Sequence, residues 1–358
     1  MLHSGMGDYV CVIVQTLFMT PEIRYPILSW SNEEESIKEY LLLLDGRRYE
    51  EEEYLSWKAQ RDASSSLLKV QKLLYALQTS HSPPHIRDLA SCFQLNPYEQ
   101  RDPMEFFFEL MDSLETGLKK SQLKNLIAHH YNWTLENYLD CTYCKKQYAR
   151  QDNSVAFSLG VQCAASIEEA FQQFLEPEVL EGDNLYLCEK CNAKRIALKG
   201  VRFVRLPYIL TIGIKRFVFN FENMQIEKLF HRVVFHEVID MNLFMVNGTI
   251  GSEHGAEEFS NSPEAIEKRE QIKRRFLANG PDVYELYSIV AHLGRSESGH
   301  YYAFIKCPKT KRWLQFLDSC IYQPTPNQIL STLGGNQQDP GAICLVYRRV
   351  GEFPTSSQ

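Results

Sequence analysis

Two cysteine pairs and one histidine are the residues whose types and spacing could do chemistry in this chain. The pairs are Cys141-Thr-Tyr-Cys144 and Cys188-Glu-Lys-Cys191. Two C-x-x-C knuckles supply four thiolates, the ligand set of a tetrahedral structural zinc. Lys145, Lys146, Lys190 and Lys194 lie nearby and would offset the negative charge of such a site. Two unrelated pairs, or a redox dithiol, are the plainer alternatives. A shared metal would pin a long excursion of chain back on itself, like two fingers clipped together. Cys92, Cys163, Cys307, Cys320 and Cys344 lie in apolar contexts and read as buried thiols.

The histidine is His300, in Gly299-His300-Tyr301-Tyr302. It follows a Gly/Ser-rich turn and opens an apolar strand, a place that suits a general base. An acid that orients its ring belongs on a neighbouring strand, and Asp318 is the candidate. The alternative is a turn histidine bonded to the backbone. A third stretch, "GMGDYVCVIVQTLF" (Gly5 to Phe18), is a flexible start followed by an apolar run. It reads as a loop feeding a buried helix with Asp8 as N-cap. Thiol enzymes place a nucleophile at such a helix start, where the dipole stabilises a thiolate. Here the junction residue is Asp8, and Cys11 comes one turn later.

The elements that must position these residues fall into two kinds. The first third is helical. Ser64 to Ser80 carries apolar residues at helical spacing. Arg101 to Glu115 opens with Asp102 as N-cap, Pro103 at the first helical position and Glu105 at the third. Tyr40 to Gln60 is charged and reads as solvated. From about Asn132 the pattern changes to short aromatic and β-branched strands: "SVAFSLGV", "NLYLCEK", "LPYILTIGIKRFVF", "RVVFHEV", "YELYSIVAHLG", "HYYAFIK", "RWLQFLD" and "ICLVYRR". One helix interrupts them from Ser166, with Glu169 three residues later. Residues 247–282 read as a polar insertion with a basic helical centre. A helical lobe followed by a mostly antiparallel sheet makes an α+β protein.

Composition narrows the class. The net charge of −7 argues against nonspecific nucleic-acid binding. No apolar run approaches the ~18 residues of a membrane span, and no signal peptide is apparent. The sequons at Asn132 and Asn247 therefore read as chance, and ten cysteines read as reduced thiols or metal ligands. A cytoplasmic or nuclear monomer is expected.

Together these pieces resemble the catalytic domain of ubiquitin-specific proteases over nearly the whole chain. "QTLFMTPEIR" looks like the tail of the family's Cys box, and "EQRDPMEFFFELMDSLE" is similar to its glutamine–aspartate helix. "EPEVLEGDNLYLCEKC", "LPYILTIGIKRF" and the "SGHYYAFIK…W…F" His box also match. The resemblance implies a papain-like cysteine-peptidase fold in a right-hand architecture of thumb, palm and fingers with a zinc-ribbon-like tip. One domain would run from 1 to 350. The helical thumb would span about 1–125, the zinc-bearing fingers 126–200 and the palm 201–350 around the insertion, with a tail at 351–358. It implies ubiquitin and ubiquitinated proteins as partners, with ubiquitin's C-terminal tail threading between thumb and palm. A cysteine would attack the tail's terminal carbonyl, deprotonated by the His-box histidine, and Gln100 and Asp102 would contact the tail.

Position by position, the chemistry is missing. The family box reads N-x-G-x-T-C-Y-x-N-S-x-x-Q. Aligned on Tyr9 and Gln15, its nucleophile falls on Asp8, its threonine on Gly7, its oxyanion asparagine on His3, and its later Asn-Ser pair on Cys11 and Val12. His300 is kept. After "W-x-x-F" the first expected polar residue is Leu317, while Asp318 remains. The expectation is an inactive, ubiquitin-binding relative in which Asp8 caps its helix and pairs with protonated His300. The alternative is an active cysteine deubiquitinase, through Cys11 or because the chain's true start differs, Met1 falling within the box. A relic scaffold whose interactions have moved to the insertion is a third reading.

Overall fold

The structure, a computed structural model, describes residues 1–3, 5, 7–31, 51–245, 259–296 and 298–351. The expected solvated segment therefore lies partly outside the described residues, as do the first third of the insertion and nearly all of the tail. The chain forms two compact units. One comprises Met1–His130 with Tyr301–Gln323, the other Tyr131–His300 with Pro324–Gln358. Among the described residues no helix is long and apolar enough to cross a membrane.

The first unit is helical around the buried helix Asp8–Phe18. Val10, Val12, Ile13 and Val14 are β-branched, and local propensity alone would favour a strand. Tertiary burial decides otherwise, since every residue from Asp8 to Leu17 is buried. Helix Pro103–Leu118 packs against it, with the Tyr9 and Phe106 rings edge-on at 5.9 Å. Asp102 caps that helix as expected, accepting the Met104 N–H at 2.8 Å. Helix Ser66–Thr79 starts at its Ser65 cap. Its Gln71 amide donates to the Ile27 and Trp30 carbonyls at 2.8 and 2.7 Å, closing the end of helix Pro21–Ser29. Three antiparallel strand segments complete the unit, with Lys306 opposite Trp313 and Leu317 opposite Cys320.

The second unit holds a larger sheet. Strand Val283–Gly294 pairs with Gly341–Arg349, which pairs with Ile209–Lys215, all antiparallel. Phe157–Gly160 joins the last of these in parallel. A separate four-stranded sheet contains Trp133–Cys141 between Gln147–Ser154 and Ala197–Arg205. Trp133, Phe157 and Phe203 form an aromatic cluster, with ring centroids 5.5 Å apart in the two tryptophan pairs. Helix Ile167–Leu175 starts at Ser166, whose hydroxyl accepts the Glu169 N–H. The basic helix of the insertion, Pro263–Leu277, is no loose appendage. Its Ile272 and Phe276 pack on Val238 and Val283, and its Arg269 is buried against Glu237.

Several local expectations differ from the structure. "RVVFHEV" is extended, but it is bridged to Ser166 at Val234 and contributes only its last residue, Val238, to a strand, Val238–Asp240. Cys163 and Cys320 are exposed, because one lies in a turn and the other on the exposed strand Cys320–Tyr322. Cys344 is buried.

Candidate functional site

The approach to the first helix is fixed by backbone. Leu2 N–H donates to the Pro84 carbonyl at 2.8 Å, and Ile86 N–H to the Leu2 carbonyl at 3.0 Å. Gly5 sits at φ +61°, and a Cβ there would meet the Pro97 carbonyl oxygen at 1.9 Å, so only glycine fits.

Asp8 is the first residue of the helix, not its N-cap. Gly7 takes the cap position and makes no side-chain cap bond. The physical reason is that the Asp8 carboxylate is used elsewhere. One oxygen accepts the Tyr301 N–H at 2.7 Å and the Gln100 side-chain amide at 3.3 Å. The other accepts the Tyr9 N–H at 2.9 Å. The side chain is 3% exposed. Gln100 and Asp8, separate in sequence, are thus brought together.

Cys11 lies one turn deeper and is 6% exposed. Burial pushes its thiol up to about 12, and the carboxylates of Asp318 and Asp8 add to the rise. At neutral pH about one thiol in 10⁵ would be ionised. Asp8, Cys11, Gln15, Tyr301, Phe316 and Asp318 line a cavity of about 10 Å³, room for a single water at most. Burial raises the Tyr301 phenol above its usual range, and Asp102, Asp8 and Glu105 add to it, so these carboxylates share one neighbourhood. The Asp102 carboxyl is itself raised by burial, against the Met104 N–H bond.

Asp318 has a partner that sequence reasoning did not assign. Its carboxylate meets His3 Nε2 at 3.0 Å, and His3 Nδ1 meets the Gly5 carbonyl at 3.0 Å. Both ring nitrogens face acceptors, so both bonds form only with the imidazolium. Asp318 adopts φ +49°, a left-handed conformation uncommon outside glycine. The sole signal in sequence was His3 in place of the box's asparagine.

His300 is the second residue of strand Gly299–Lys306 and belongs to the second unit, whereas Asp8, Cys11, Gln100, Asp102 and Asp318 belong to the first. A Cβ at Gly299 would lie 2.1 Å from His292 Nε2. The glycine before His300 is therefore a packing demand of another histidine.

The four cysteines of the two knuckles converge in the second unit, with all their sulfurs within 4.8 Å of one another. Cys141 and Cys191 sulfurs lie 4.0 Å apart, and those of Cys144 and Cys188 3.7 Å. A tetrahedron with metal–sulfur bonds of ~2.3 Å has edges of ~3.8 Å, so the set fits one metal ion. Each knuckle turns through a left-handed residue just after its second cysteine, Lys145 at φ +55° and Asn192 at φ +47°. Thr142 ties the knuckles together through its N–H and hydroxyl, both donating to the Ile196 carbonyl. Backbone N–H groups of Cys144 and Tyr143 lower the Cys141 thiol, while burial and the other three sulfurs raise Cys191. Four thiolates so close need a cation to carry them together.

The family model described as "Ubiquitin carboxyl-terminal hydrolase" matches residues 3–347. The chain belongs to this family, and its mixed helix and sheet is the papain-like fold of the ubiquitin-specific proteases. Human ubiquitin carboxyl-terminal hydrolase 47 is 30% identical over 397 aligned residues, covering 97% of this chain and 27% of that protein. The Drosophila melanogaster protein of the same name is 28% identical over 407, covering 98% and 25%. Human ubiquitin carboxyl-terminal hydrolase 24 is 33% identical over 227, covering 62% and 9%. The chain thus spans about a quarter of the length of the first two relatives.

Proposed function

We propose that this domain binds ubiquitin and does not hydrolyse its conjugates. The observation that carries the reading is the state of Asp8 and Cys11. In the family's chemistry a thiolate attacks the carbonyl at ubiquitin's C-terminus and a histidine removes the thiol proton. Here the position of attack holds a carboxylate, a poor nucleophile whose product would be an anhydride. Its oxygens already accept three N–H donors. The nearest thiol, Cys11, is buried and protonated at neutral pH, and protonated thiols do not attack carbonyls.

In this reading His300 and Asp318 are the remaining parts of the family's base and its orienting acid. Gln100 and Asp102 meet ubiquitin's tail, Gln100 while also holding Asp8. The metal of the four-cysteine cluster is zinc, in a structural role: the four sulfurs are all the ligands a tetrahedral site needs, and no open position is left for substrate.

The test uses ubiquitin bearing a C-terminal thiol-reactive group, mass spectrometry, and a parallel titration with plain ubiquitin. Binding without a covalent adduct is the expected result. An adduct mapped to Cys11, and lost in Cys11→Ala, would overturn it in favour of an active cysteine deubiquitinase whose nucleophile has moved one helical turn.

A further inference from the structure

We infer that the cavity between helix Ile167–Leu175 and the four-stranded sheet is a second binding site, for a basic peptide segment of a partner protein: an arginine or lysine side chain beside an apolar one. The inference does not depend on the ubiquitin-binding reading. The cavity lies wholly within the second unit and measures about 940 Å³, within the ~300–1,000 Å³ typical of ligand sites.

Strand register sets its walls. Asp140 lies opposite Leu198, and Tyr138 opposite Gly200, so these residues share one face of the sheet. A Cβ at Gly200 would lie 2.5 Å from the Tyr138 hydroxyl oxygen; the ring lies across the glycine. Phe244 supplies apolar wall and is held by Phe171, their ring centroids 5.2 Å apart. Val179 also lies opposite Leu198 and is 50% exposed. It continues the apolar strip beyond the cavity, so the strip is longer than one side chain.

The charge of the cavity is one-sided. Asp140, Glu169 and Glu176 line it, and the lining cation, Arg202, is taken by Glu136 at 2.6 Å. Among the described residues none of the three carboxylates is in an ion pair, and Asp140 Oδ1 is buried without a hydrogen-bond partner. A buried carboxylate left unpaired is costly, and a cation brought by a partner offsets that cost. Among the described residues only the four cysteines converge closely enough to hold a metal ion, so these carboxylates do not form a metal site. The same charges repel phosphate-bearing partners. The aliphatic stem of arginine or lysine suits Leu198 and Phe244, and its charged head suits the carboxylates. The length of the strip calls for a peptide, not a lone amine.

The experiment selects random short peptides on the folded full chain, then titrates the best of them in solution. Enrichment of arginine or lysine next to apolar residues is expected. Replacing the basic residue by an uncharged one of like shape, citrulline for arginine or norleucine for lysine, should weaken binding about tenfold. Asp140→Asn should do the same, and so should Glu176→Gln, at an exposed position where folding is not at stake. No selected peptide, selected peptides without basic residues, or an affinity unchanged in both variants would overturn the inference. Equal binding of arginine amide alone would overturn it in favour of a site for small cations. Displacement by plain ubiquitin would overturn it by assigning the cavity to ubiquitin.

Discussion

The four-cysteine cluster and the Asp8 pocket are opposite cases of one question, whether a site's chemistry and its architecture can be separated. At the cluster they cannot. The four sulfurs that would bind a metal also close the Tyr186–Cys188 and Ala193–Arg195 hairpin onto the end of strand Trp133–Cys141. Losing one ligand would lose both. At Asp8, on the proposed reading, they have come apart. The helix, its glycine approach, Gln100 and the helix that Asp102 caps are in place, and the residue at the helix start does structural work. Its carboxylate satisfies two backbone N–H groups and one side-chain amide. On the reading proposed above, a nucleophile is needed by the reaction and not by the fold, so its place can be taken by a side chain that satisfies the same donors.

This contrast can be broken, most forcefully at the metal. Structural zinc contributes on the order of 10 kcal/mol of folding free energy in small domains. Elemental analysis should find one zinc per chain, and Cys188→Ser or a chelator should remove it and lower the melting temperature. A metal-free chain that melts unchanged would show the cluster to be four packed thiols. The next largest effect is expected at Asp8. Asp8→Ala leaves the buried Tyr301 N–H without its acceptor and should cost about 1–3 kcal/mol in denaturant unfolding. Asp8→Asn should cost less, because it keeps an acceptor. Equal losses would mean that charge, and not hydrogen bonding, is what the pocket uses.

Cys11 gives a pH-dependent test. Its thiol is raised to about 12 in the fold, whereas an unfolded thiol ionises near ~8.5. The stabilising contribution is therefore full below ~8.5 and is lost as pH rises from there towards 12, where the unfolded state gives up a proton that the native state keeps. Between pH 8 and 10 the chain should lose about 1–2 kcal/mol more than Cys11→Ala does. Parallel pH profiles would show that the thiol is not held neutral by burial. The smallest change is expected from Gln100→Ala, about 0.5–1.5 kcal/mol. Its effect on ubiquitin binding should be the larger one if Gln100 meets the tail.

Much of the framework was legible in the chain. Asp102 with Pro103, and Ser166 with Glu169, marked their helix starts because capping is a contact between residues two or three apart. The cysteine knuckles were legible for the same reason of short spacing. Strands Trp133–Cys141 and Ala197–Arg205 were not, since both are only partly buried and their apolar and polar residues do not alternate cleanly. "RVVFHEV" misled in the opposite sense: its apolar run is buried without a ladder of partners. Asp8 was misplaced by one position because two of the three N–H donors to its carboxylate, from Tyr301 and Gln100, lie far along the chain.

What the sequence determined by itself was therefore the family, the succession of capped helices and aromatic strands, the four thiols and the absence of a thiol at residue 8. Each is a matter of residue identity or of contacts within a few positions. The tertiary structure alone decided what those residues became. It joined Asp8 to Tyr301, His3 to Asp318, and the two knuckles to each other across long separations. It also set the burial that keeps Cys11 protonated. Proton affinity and hydrogen-bond choice depend on solvent exclusion and on partners far along the chain, and local sequence carries no record of either.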